Sequence, residues 1–128
     1  RKHFHRFSNR LDHFMALSHA VVVMPGGIGT CLELFYTWQL TQVKHICRIP
    51  IILHGQMWHE LLRWGRENII EGSLAKEEDF TNVLCVKNNK EAIETLLSLQ
   101  EDYEKVKNSG ESFCINYRKY APLTPAIS

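Results

Sequence analysis

The stretch Ala20-Val21-Val22-Val23-Met24-Pro25-Gly26-Gly27-Ile28-Gly29-Thr30-Cys31-Leu32-Glu33 changes character twice within fourteen residues. It opens as a continuous, largely β-branched apolar run, the pattern of a strand buried on both faces of a parallel sheet. Pro25-Gly26-Gly27 ends that run, and a helix is expected to begin near Thr30 and continue through Leu32, Leu34, Phe35, Trp38 and Leu40 toward Gln42. A strand feeding a glycine turn and then a helix is the entry unit of an α/β sheet.

Upstream, Phe4, Phe7, Leu11, Phe14, Met15 and Leu17 recur at helical spacing. Downstream, Ile49-Pro50-Ile51-Ile52-Leu53-His54 reads as a second strand, with Pro50 tolerable near its start. A helix through Trp58, Leu61, Leu62, Trp64 and Ile69 follows it. Val83-Leu84-Cys85-Val86 is a third short strand, and Asn88-Asn89-Lys90-Glu91 offers a capping box for a last helix carrying Ile93, Leu96, Leu97, Tyr103 and Val106. Strand–helix units in series imply a Rossmann-like parallel sheet flanked by helices.

Three parallel strands led by a bare helix would leave long edges unpaired, and the chain opens without Met. Residues 1–107 are therefore expected to form the C-terminal part of such a domain, with preceding strands outside this sequence. Residues 108–128, with Pro122 and Pro125, are expected to form a tail that lies on the surface or reaches a neighbour. Tyr117, Arg118, Lys119 and Tyr120 are candidates for such a partner contact.

Bulk composition narrows the functions. At 128 residues, 45% hydrophobic, the chain fits one domain with one ordinary core. The 15 Lys+Arg nearly balance 14 Asp+Glu, so the basic surface that nucleic acid demands is missing. No apolar run is long enough to span a bilayer, and the first residues lack the apolar core of a signal peptide. A cytoplasmic protein is expected, with no membrane partner. Cys31, Cys47, Cys85 and Cys114 are widely scattered, which favours reduced, buried thiols over a zinc or redox site. His13, His19 and His54 lie near strand ends but at no metal-ligand spacing, so no metal is expected.

The chemistry concentrates at the glycine turn. In a parallel sheet, ligands bind beyond the carboxyl ends of the strands, where this turn sits. Gly26, Gly27 and Gly29 let backbone N–H groups approach a bulky anion, and the helix N-terminus behind them carries about half a positive charge. Thr30 can add a hydroxyl. The turn is neither GxGxxG nor GxxxxGK[ST], which disfavours a standard dinucleotide or ATPase site. Alternatively, the glycines serve only a tight turn. Glu33 likewise has two readings: the fourth residue of a capping box with Thr30, or a carboxylate at the ligand mouth directed at sugar hydroxyls or a cationic sugar carbon.

The pattern PGGxGTxxE from Pro25 to Glu33 resembles the signature of the Lonely Guy family, whose sequences are often labelled lysine decarboxylases. A second point of likeness is Arg10, fifteen residues before the motif's proline, where the family carries an Arg. Its neighbours depart, with Leu11 where Lys is usual and Phe14 where Met is usual. Trp38, Gln39 and Gln42, followed by Arg48-Ile49-Pro50-Ile51, resemble the next helix and strand of the family, with Trp38 offset by two positions; core packing is the expected role of Trp38. The likeness runs from Phe7 to about Leu97.

The resemblance implies hydrolysis of the N-glycosidic bond of a nucleoside 5′-monophosphate, releasing a free base and ribose 5-phosphate without metal or redox cofactor. Gly26, Gly27, Gly29 and Thr30 would hold the phosphate, while Arg10 and Glu33 would be catalytic. A homodimer or higher homo-oligomer is implied as well. The alternative is a nucleotide-binding sensor or carrier of the same fold that does not hydrolyse its ligand.

Overall fold

The computed structural model describes residues 20–43, 49–108 and 115–124. It contains a three-stranded parallel sheet in the order β1 (Val21–Val23), β2 (Ile51–His54), β3 (Val83–Val86). Val21, Val22 and Val23 pair with Ile51, Ile52 and Leu53, and Ile51 to His54 pair with Val83 to Val86. The crossovers are α1 (Ile28–Val43) and α2 (Gln56–Gly65), and α3 (Asn89–Asn108) follows β3. This is the expected α/β, Rossmann-like arrangement of a parallel sheet flanked by helices.

Two crossovers that step the same way across the sheet place their helices on the same face. Val21, Val23, Ile51, Leu53, Val83 and Cys85 accordingly pack against Cys31, Leu34 and Trp38 of α1 and Trp58 and Leu62 of α2. The alternate residues Ile52, Leu84 and Val86 face Ala92, Leu96 and Leu99 of α3. Both β2 and β3 are thus covered on both sides, which is why they read as unbroken apolar runs.

β2 starts at Ile51, later than the expected Ile49. Pro50 has no N–H for the ladder, but its carbonyl accepts from Val21 N at 3.0 Å and so belongs to the edge of the sheet. α2 is shorter than its apolar pattern. It stops at Gly65 and passes into a π-helical turn, Arg66–Ile70, in which Glu71 N–H donates to the Arg66 carbonyl at 3.1 Å. Arg66 is buried there, paired with Glu77 and lying 5.7 Å from the centre of the Phe80 ring. α3 begins with Asn88 as its cap, the Asn88 side chain accepting from Glu91 N–H at 2.9 Å.

The segment Tyr117–Leu123 is a 3-10 helix that packs on the α3 face of the sheet rather than extending away. Tyr120 is 5% exposed; its phenol donates to Asp102 at 2.6 Å and lies 2.9 Å from Ser98 Oγ. Lys119 Nζ donates to the same carboxylate at 2.8 Å. Burial would raise the Asp102 carboxyl, but the hydrogen bonds from Lys119 and Tyr120 outweigh it and hold the group below the usual carboxylate range. Tyr120 therefore serves this chain's own core, which Pro122 and the polar residues around it did not announce.

Candidate functional site

All three strands end at one edge of the sheet, and the glycine turn leaves β1 there. α1 opens at Ile28, two residues before Thr30, with Cys31 N–H donating to the Gly27 carbonyl at 3.1 Å. Thr30 thus lies within the first turn, not before it, and the first turn carries no acidic residue. The Thr30–Glu33 capping box is not formed. The leading N–H groups, from Ile28 to Thr30, have no intrahelical acceptor, and among the described residues no side-chain cap like that of Asn88 on α3 is seen there.

The glycines divide by role. A β-carbon on Gly26 would stand 2.2 Å from Thr30 Oγ1, so Gly26 is dictated by packing. On Gly27 or Gly29 it would meet nothing within 4 Å. Neither has positive φ, so no backbone constraint demands glycine at these two positions. Gly29 even weakens the helix it sits in. The open space beside them, at the positive end of a 16-residue helix, is what an anion would fill.

Gly55, just past β2, is a residue that sequence reasoning passed over. Its φ is +121°, and a β-carbon there would stand 2.9 Å from Pro25 Cγ. Its N–H donates to the Val86 carbonyl at 3.0 Å, which ties the ends of all three strands together under the turn. The signal was a lone glycine directly after a buried strand.

A hollow of about 350 Å³ runs beside the turn, lined by Val21 to Pro25 on one side and by Thr30, Glu33 and Thr37 on the other. Glu33 is exposed and has no hydrogen bond or ion pair among the described residues. Structure thus brings Thr30 and Glu33 to one cleft beside Gly26, Gly27 and Gly29. Arg10 lies outside the described residues, as do His13, His19, Cys47 and Cys114.

Other candidates have structural employment. Trp38 Nε1 donates to the Asp79 carbonyl at 2.7 Å and its ring meets Phe80 edge-on at 4.7 Å, as a core residue does. His54 Nε2 lies 2.9 Å from Asn89 Oδ1 and links β2 to the start of α3. Cys31 and Cys85 are free thiols, and burial pushes Cys85 up to about 12. Among the described residues no three His, Cys, Asp or Glu side chains converge on a common point, and no helix is long and apolar enough to cross a membrane.

Residues 2–96 match the family described as possible lysine decarboxylase. The chain belongs to that family. The label is the one under which Lonely Guy sequences are grouped, so the likeness carried by Pro25 to Glu33 holds at family level. The matched region takes in all three strands, the glycine turn, α1, α2 and the start of α3, and it ends before Tyr117–Leu123. No curated protein matches the chain.

Proposed function

We propose that this lysine-decarboxylase-type chain acts on a nucleoside 5′-monophosphate and hydrolyses its N-glycosidic bond. The observation that carries the reading is the pairing of two unconstrained, open glycines at the head of α1 with an exposed carboxylate that lines, with Thr30 of the same turn, the neighbouring hollow. A helix N-terminus favours an anion and repels an amine, so a phosphorylated substrate suits the turn better than lysine does.

In this reading the phosphate accepts from the amides of the first turn, with Gly26, Gly27 and Gly29 allowing close approach and Thr30 adding its hydroxyl. Glu33 lies just short of a full turn beyond Thr30, about 4.5 Å along the helix, level with the sugar. Its carboxylate binds ribose hydroxyls and stabilises the cationic charge that grows on C1′ as the bond to the base breaks. Water supplies the oxygen that bonds C1′; the departing base nitrogen takes up a proton. Arg10 binds the substrate and assists base departure. The protein works in the cytoplasm, as a homodimer or larger closed oligomer.

The test is incubation of the full chain with a panel of nucleoside 5′-monophosphates, with ribose 5-phosphate assayed by chromatography. Release from at least one member is expected. Tight binding without release identifies a sensor or carrier instead.

A further inference from the structure

β2 ends on His54, whose place in the strand alternation after Ile52 turns its ring toward α3. The half-buried ring meets the first residue of that helix: His54 Nε2 and Asn89 Oδ1 stand 2.9 Å apart. An amide oxygen only accepts, so Nε2 carries the proton and donates. Nδ1 is then the bare nitrogen, and it is buried without a hydrogen-bond partner. An imidazole with one nitrogen satisfied and the other left empty is a costly filler for such a place, so its use lies in what the one bond fixes.

The residue that follows is Gly55. Its N–H donates to the Val86 carbonyl at 3.0 Å, its carbonyl accepts from Trp58 N–H at 3.3 Å, and its φ is +121°. A β-carbon on it would stand 2.9 Å from Pro25 Cγ, so the backbone closes here on the head of the glycine turn with no room for a side chain between them. β3, α2 and the turn thus all bear on one glycine, and the His54 ring adds the tie to α3. We propose that His54 is a positioning residue: through its hydrogen bond to Asn89 it fixes the Gly55 backbone against Pro25 and so sets the spacing of the turn amides that take the phosphate. The role of those amides rests on the nucleotide reading above; the fixing of the turn does not.

Three variants separate the possibilities. His54→Leu keeps an apolar filling for the half-buried place and removes the donor. His54→Gln is the conservative change, because its amide nitrogen can take the position of Nε2 and leaves no second ring nitrogen unpaired. Asn89→Ala removes the acceptor with a residue that favours helix.

Two readouts on the full chain decide it. In amide NMR spectra of the ligand-free protein, the Gly26, Gly27 and Gly29 resonances are expected to move in His54→Leu and Asn89→Ala and to stay with the parent in His54→Gln. Calorimetric titration with ribose 5-phosphate is expected to show about fivefold weaker binding in the first two, no further loss when they are combined, and less than about twofold change in His54→Gln. A bond that served stability alone would lower the melting temperature and leave both readouts at the parent values, and that result overturns the proposal. So does a His54→Gln protein as impaired as His54→Leu. Moved glycine resonances in a chain that binds neither ribose 5-phosphate nor any nucleoside 5′-monophosphate uphold the positioning role and refute the nucleotide reading alone.

Discussion

A β-carbon on Gly55 would stand 2.9 Å from Pro25 Cγ across the ends of β1 and β2, and Gly55 holds a φ of +121° that other residues rarely adopt. The turn that carries the candidate phosphate site therefore rests on a residue thirty positions away in sequence. Gly55→Ala is expected to cost about 1–3 kcal/mol of stability, read from urea melts. Adding Pro25→Ala should relieve part of that cost, so the two changes combine less than additively.

Gly27 and Gly29 should behave differently from Gly26. Gly29→Ala removes a weak helix former where there is room for a methyl group, and should raise stability by about 0.5–1 kcal/mol while weakening nucleotide binding. Gly26→Ala drives a methyl into Thr30 and should destabilise the turn. Thermal melts and calorimetric titration of the two variants check this; a Gly29→Ala protein that binds nucleotide as well as the parent would count against an anion at this turn.

Glu33→Gln keeps the side-chain shape and removes the charge. Turnover should fall by about 10²-fold or more with nucleotide affinity nearly unchanged. Single-turnover kinetics separate the two quantities.

The Asp102–Lys119–Tyr120 cluster predicts a pH window for the docking of Tyr117–Leu123. Asp102 is held low by Lys119 and Tyr120 against the effect of burial, so its contribution is present above the unfolded carboxylate value and is lost as pH falls below about 4. Tyr120 is raised by burial and by its bond to Asp102, and Lys119 is raised by its bond to Asp102. Those contributions are complete below the unfolded values and are lost as pH rises past about 10. Amide exchange in residues 117–123 should be slowest between these limits, and Asp102→Asn should abolish the acid limb.

α1 exposes Ile28, Leu32 and Phe35, at 88%, 44% and 45%, in a row along one side. In the proposed oligomer this row is covered by a neighbouring subunit. Light scattering at micromolar concentration should give a multiple of the chain mass, and Phe35→Glu should reduce it.

The three strands and three helices were legible because their periods differ: two-sided burial wrote β1, β2 and β3 as unbroken runs, and the helices followed them. Their limits were less so. The start of α1 was hidden because a backbone carbonyl, that of Gly27, opens the helix where a side-chain cap was expected at Thr30. The π-helical turn after Gly65 leaves no trace in an apolar pattern. Of the candidate site, Gly26, Gly27, Gly29, Thr30 and Glu33 stand out by their spacing. Gly55 does not, since its close approach to Pro25 exists only in the folded chain.

The second core carries an implication for the order of assembly. Ile52 and Tyr120 belong to one cluster, yet more than half of the sequence lies between them. The α1–α2 face can close from neighbouring β–α units, whereas the opposite face waits for the Tyr117–Leu123 segment to be made and released. On a ribosome one side of the sheet could be finished while the other stayed wet until this segment had emerged. Pulsed hydrogen exchange during refolding should show the amides of residues 118–123 protected after those of α1.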